Sequence, residues 1–181
     1  MNAAGVTVRK AVEADAAEIA AIYAHHVIHG TASYDTEPPS VYAMRAKIRQ
    51  ILAAGWPFLV AERDGAVVGY AYATQFRDRA AYAWTAEDSI YVHPDFAGQG
   101  IGRALLEKLC VAAEQFGFRQ IVAVIGGAEE PSVRLHAACG FKETGRLHAA
   151  GWKKGRWLDN VYMQLALGEG SATPPKSPDS R

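Results

Sequence analysis

Glycines 98, 100 and 102 stand at every second position of FAGQGIGRALL, the stretch 96–106, and an apolar helix-forming run begins directly behind them. A helix N-terminus leaves backbone N–H groups without intrahelical acceptors and carries partial positive charge, so it attracts phosphate oxygens. Glycine removes the side chains that would hold a phosphate away from those donors. The strand SIYVHP enters this turn and a helix leaves it. The expected chemistry is therefore anion binding by the backbone of Gly98, Gln99, Gly100, Ile101, Gly102 and Arg103, with a tight turn that binds nothing as the plainer alternative. Two nucleotide motifs do not fit. A P-loop needs Lys-Ser/Thr after its last glycine, where Arg103-Ala104 stand. The dinucleotide fingerprint needs G-x-G-x-x-G on the first strand of a βαβ unit, and this G-x-G-x-G comes late, after a hairpin.

A second set of residues precedes the glycines. Glu87 falls mid-strand, on one face with Thr85 and Ser89, while Asp88 points to the other. Glutamate is unfavoured inside strands, which argues for a task rather than a solvated charge. With an ordinary pKa of about 4.3, a carboxylate needs partial burial or a relaying water to take a proton from an amine. FRDRAAYAW places Arg77 and Arg79 in the loop ahead of that strand, where a guanidinium pair suits a carboxylate, phosphinate or similar oxyanion. Tyr34, in TASYDTEPPS, is placed to close the pocket's other side, with ordinary aromatic burial as the alternative. The histidines lack metal-ligand spacing, so no metal is expected. Cys110 and Cys139 read as small buried hydrophobes.

These groups need a scaffold. The chain has 181 residues, half of them apolar and 21% charged, enough for one globular core. Lys plus Arg and Asp plus Glu both number 19, so no global field favours nucleic acid or an anionic membrane. No apolar run suits a signal peptide or a membrane span, and two cysteines fit a reducing compartment; a cytoplasmic protein is expected. VTVRKA alternates as a strand, and Asp15 with Glu18 suggests a capping box for a helix that Gly30 stops. Ser40 caps a second helix, and Asp64-Gly65 turns a hairpin between FLVAER and AVVGYAYAT. A strand over 84–92, the helix behind the glycines, the strand RQIVAVI, the short helix PSVRLHAACG and two late strands follow. Hairpins imply antiparallel pairing and the strand–helix–strand unit near residue 100 a parallel step. The fold class is a single α/β domain over 1–167, a mixed, mostly antiparallel central sheet with helices on both faces. The polar, proline-rich stretch 168–181 is expected to be a disordered tail.

Val92 followed by HPDFAGQGIGRALL resembles the pyrophosphate-binding motif of the GCN5-related N-acetyltransferases, Arg/Gln-x-x-Gly-x-Gly/Ala. AYAWTAEDSIYV, IVAVIGGAEEPSVRLHAACGF and GRLHAAGWKKGRWLDNVYMQ are similar to the phosphinothricin and methionine sulfoximine/sulfone acetyltransferase branch, and the resemblance spans residues 6 to 167. Two positions depart from the pattern. Ala97 replaces the usual Arg or Gln, and Glu129 stands where an Asn is frequent. The resemblance implies acetyl-CoA as co-substrate, held by Ile90, Tyr91, Val92, the 98–103 cradle, Glu129 and Ser132. It implies that Tyr34, Phe76, Arg77, Asp78, Arg79, Tyr82, Thr85, Ala86 and Glu87 contact a glutamate- or methionine-like amino acid, with Glu87 as base. His136 occupies the place of the tyrosine that many members use to protonate the departing thiolate; packing or a CoA contact is the even alternative. The branch also implies a homodimer and a detoxifying role. Acetylation of a protein or peptide amine, and a non-catalytic acyl-CoA-binding module, remain the other readings.

Overall fold

The computed structural model describes residues 5–175. Its elements follow the expected order: β1 (Thr7–Lys10), α1 (Ala16–His29), α2 (Val41–Ala53), β2 (Phe58–Arg63), β3 (Ala66–Gln75), β4 (Thr85–Val92), α3 (Ile101–Phe116), β5 (Gln120–Gly126), α4 (Glu130–Ala138), β6 (Lys142–Lys153) and β7 (Arg156–Ala166). The strands form one sheet in the order β1-β2-β3-β4-β5-β7-β6, parallel only between β4 and β5. The β2–β3 turn has positive φ at both Asp64 and Gly65, the geometry that matches the twist of a two-residue hairpin. Ser40 caps α2 as expected, its Oγ accepting the Ala43 N–H at 3.1 Å. The expected capping box of α1 is corrected. Asp15 accepts the Val12 N–H and pairs with Arg9, while Glu18 reaches across to the Val67 N–H, because both carboxylates find stronger partners outside the helix.

Strand alternation divides the core in two. Phe58, Val60 and Tyr70 pack against Ile19, Ile22 and Ile48 of α1 and α2. Ala71, Ile121, Val161 and Met163 turn to the other face, against Leu105, Leu106 and Leu109 of α3. Residues 168–175 lie within the stretch expected to be a tail. Arg119 donates to the Gly170 carbonyl and to Thr173, and Leu167 is buried beneath. Residues 1–4 and 176–181 fall outside the described residues.

One buried ion pair fastens α4 to the sheet. His136, 2% exposed, places Nε2 3.1 Å from Asp88 Oδ2 and Nδ1 2.8 Å from the Ser132 carbonyl. With a carboxyl at one ring nitrogen and a carbonyl at the other, the site favours a ring that donates from both, the charged form. Burial lowers its pKa, the hydrogen bond and charge of Asp88 raise it by more, and the net shift is upward. With a folded pKa above the unfolded value of about 6.5, this contribution is complete below that value and is lost as pH rises through the raised one. Removing one member of such a pair strands the other, at a cost of about 3–5 kcal/mol, whereas apolar replacement of both is often neutral. Urea unfolding is therefore expected to show His136→Leu strongly destabilised and the double variant Asp88→Leu/His136→Leu largely restored, without the wild-type decline in stability at alkaline pH. Additive losses in the double variant would contradict the pairing.

Candidate active site

The β4–β5 ladder runs from Thr85↔Gln120 to Asp88↔Ala123 and stops, although both strands continue. β3 holds β4 as far as Val92 and β7 holds β5 as far as Gly126, so each strand stays extended while their facing edges part. On β4 the odd-numbered residues turn their backbone groups to β3, as the Thr85 carbonyl and the His93 N–H do. By alternation Ile90 and Val92 turn theirs into the gap. Val92's carbonyl is taken by His26 Nε2 at 2.8 Å, which leaves Ile90 N–H, Ile90 C=O and Val92 N–H facing the gap. A cavity of about 260 Å³ opens there, and Glu87, Asp88, Ile90, Tyr91, Ser132 and His136 are among its lining residues. A hollow of about 620 Å³ near the end of α3 shares no lining residue with it.

The glycine turn lies at the end of β4. Gly98 and Gly100 have φ of +76° and +82°, a region that disfavours any side chain. Helical bonding starts with the Ala104 N–H to the Gly100 carbonyl, so the amides of 101–103 have no intrahelical acceptor. A Cβ on Gly102 would meet Leu135 Cδ2 at 3.2 Å, so the smallness of this glycine also seats α4 against α3. The side chains around the turn have partners of their own. Gln99 accepts from Arg63 and donates to the Asp95 carbonyl, and Arg103 pairs with Glu107. Glu129 accepts both the N–H and the hydroxyl of Thr31, tying the α1–α2 loop to the start of α4. The unpaired backbone amides of the turn suit a ligand whose charge is spread over several oxygens.

On the α1–α2 side of the sheet Glu87 faces the cavity. Burial pushes its carboxyl above the ordinary range, the Asp88 charge pushes the same way, and Arg77 pulls it back. Tyr34 reaches over the cavity and is held there tightly. A Cβ on Gly151 would lie 2.7 Å from its ring and one on Gly126 3.3 Å, and its hydroxyl donates to the Asp159 carbonyl at 3.1 Å. Phe76, Arg77, Asp78, Arg79, Tyr82, Thr85 and Ala86 do not line this cavity. Ala86 is fully buried on the opposite face from Glu87, so its side chain is core. Arg77 lies over the Phe76 ring at 4.5 Å, Phe76 meets Tyr82 edge-on, and Gln75 ties down the carbonyls of Arg77 and Arg79.

Sequence reasoning missed several lining groups. Asp35 accepts the Tyr23 hydroxyl at 2.7 Å, with Ser33 on the same hydroxyl, and Asn160 comes from β7. Their signals were weak: single polar residues in a loop and in a late strand, brought to the cavity by long-range pairing. Among the described residues no group of His, Cys, Asp and Glu could hold a metal, and no helix is long and apolar enough to cross a membrane.

Comparison with known proteins follows the same lines. The model of the acetyltransferase (GNAT) family matches residues 18–141. A phosphinothricin N-acetyltransferase of Alcaligenes faecalis is 50% identical over 171 residues, covering 94% of this chain and 87% of that protein. An L-methionine sulfoximine/L-methionine sulfone acetyltransferase of Salmonella typhimurium is 40% identical, covering 92% of this chain and 98% of that protein. Among solved structures, a phosphinothricin acetyltransferase from Sinorhizobium meliloti, in complex with AcCoA, superposes with a TM-score of 0.93 at 48% identity, covering 96% of this chain and 94% of that one. With its parted strands and its backbone cradle, this chain belongs to the GNAT family of acetyltransferases.

Proposed function

We propose that this protein transfers the acetyl group of acetyl-CoA to the α-amine of a small amino acid resembling glutamate or methionine, such as phosphinothricin, methionine sulfone or methionine sulfoximine. The observation that carries the reading is Glu87, a half-buried carboxylate facing the gap between β4 and β5. Acetyl-CoA, when bound, supplies an activated thioester. The amides of 98–103 receive its pyrophosphate, and the free backbone groups of Ile90 and Val92 receive the amides of its arm. Glu87 takes a proton from the substrate ammonium, directly or through a water, and its raised pKa suits it to that task. The departing CoA thiolate takes its proton from water at the open end of the gap, because both ring nitrogens of His136 are held by Asp88 and the Ser132 carbonyl. Arg77, within electrostatic reach of Glu87, draws the substrate's anionic end to the rim. Acetylation removes the ammonium that marks such a molecule as an amino acid, which is a detoxification. The two cysteines are free, in keeping with work in a reducing cytoplasm.

We also propose a homodimer. β6 is an edge strand whose residues 142–150 are all exposed, and on the β6–β7 hairpin Trp152 and Trp157 are 59% and 63% exposed. A long open edge beside two bare indoles is a surface a second copy would cover. Analytical ultracentrifugation is expected to give a dimer that Trp152→Asp/Trp157→Asp dissociates; a monomeric wild type would remove this part of the reading.

Thiol release from acetyl-CoA, followed over the three amino acids and a short peptide, tests the activity. Glu87→Gln is expected to lower turnover by about a hundred- to ten-thousandfold. The same substitution should stabilise the protein near neutral pH. A raised acid pKa makes the ionised form a cost to the fold, present above the ordinary value of 4.5 and fading as pH falls towards it. Lower activity with a higher Tm is the expected pair. Release on the peptide alone would move the protein to macromolecular substrates, and binding without release on any amine would leave an acyl-CoA-binding module.

A further inference from the structure

Asn160 stands on β7, paired with Gly126 on one side and Leu147 on the other. Its neighbour Val161 turns into the core beneath α3, so Asn160 turns to the opposite face, which is that of Glu87. The side chain lines the same cavity as Glu87, and its Oδ1 is buried without a hydrogen-bond partner among the described residues. Buried polar atoms are nearly always paired, so an orphan at a cavity wall marks a place where a ligand completes the bonding. Polar groups close by in the fold are already engaged. The Tyr34 hydroxyl donates to the Asp159 carbonyl and accepts from Gly127, and the Lys153 ammonium donates to the Ser33 carbonyl at 2.7 Å. The other orphan oxygen of the cavity, Asp88 Oδ1, belongs to a carboxylate already held by His136.

Position gives the carboxamide its object. Glu87 is on β4 and Asn160 on β7, with β5 between them. Neighbouring strands lie about 4.8 Å apart, and the register sets Asn160, opposite Gly126, four residues along from the level of Glu87, opposite Val122, so the two backbones are about 16 Å apart, a span that their two side chains and a methionine-sized ligand between them fill. An amino acid whose α-amine meets Glu87 therefore points its tail towards β7. This inference rests on the proposed acetylation of a small amino acid. We propose that Asn160 reads the polar group at the end of that tail, and that it favours a group offering an N–H donor beside an oxygen acceptor.

The chemistry is that of a carboxamide, which carries both an acceptor and donors. A sulfone or an ionised carboxylate has acceptors alone, so it engages the Nδ2 end and leaves Oδ1 unpaired, whichever way the amide is turned. A sulfoximine has N–H and O on one sulfur and satisfies both ends at nearly the same size. Sites built to hydrogen-bond a substrate group discriminate against the analogue that lacks it, because their own polar atoms are then left bare. Asn160 is thus a specificity residue, separate from the proton transfer at Glu87.

The test is the ratio of kcat/KM for methionine sulfoximine to that for methionine sulfone. The wild type is expected to favour the sulfoximine by about tenfold, the worth of one net hydrogen bond. Asn160→Leu should bring the ratio to about one, with kcat/KM for the sulfoximine falling further than that for the sulfone, which loses only its bond to Nδ2. Asn160→Asp keeps the size and offers acceptors only, so it should keep or widen the preference. A wild-type ratio near one, a ratio that Asn160→Leu leaves unchanged, or a ratio that collapses equally in both variants would overturn the assignment. Turnover of neither compound by the wild type would instead overturn the proposed function, and this inference with it.

Discussion

The account depends on the end of one hydrogen-bond ladder. β4 and β5 pair in parallel through Asp88 and Ala123, then each follows its outer neighbour, β3 or β7, and the facing edges part. Unpaired backbone groups inside a protein are costly unless a ligand or water meets them, so a sheet that opens in its middle is a sheet made to receive something. The gap is bordered on one side by Glu87 and Tyr34 and on the other by Asp88, His136 and Ser132. At its end lies a helix N-terminus cleared by two left-handed glycines.

Adjacent residues on β4 divide the work by alternation. Glu87 looks to the α1–α2 face, where partial burial raises its affinity for a proton. Asp88 looks to the α3–α4 face, where the buried His136 ring meets it. Two carboxylates one residue apart thus meet different electrostatic surroundings. The loop between α1 and α2 is drawn over the cavity by bonds to distant parts of the chain: Thr31 to Glu129, Tyr34 to Asp159, and Ser33 to Lys153. That explains why a loop rich in turn formers can present a fixed aromatic wall.

What could be read in advance was local. The Asp64-Gly65 turn, the Ser40 cap and the amphipathic α3 act over a few residues, and each took its expected place. What could not be read depended on partners distant in sequence. That Leu135 packs on Gly102 could not be read from the glycine turn itself. Glu129 is tied to Thr31, which arrives from nearly a hundred positions earlier. Arg119 folds back a polar stretch whose composition alone suggests disorder. Asn160 carries no local signal at all, since only the pairing of β7 with β5 brings it to the cavity.

Backbone hydrogen exchange with and without CoA addresses the central claim most directly, because the claim concerns amides rather than side chains. If the parted strands and the glycine turn are the binding surface, CoA will slow exchange at Ile90, Val92 and residues 98–103 more than elsewhere. Unchanged exchange at those amides, with protection appearing instead around the hollow lined by Trp84, Phe116 and Leu167, would contradict it.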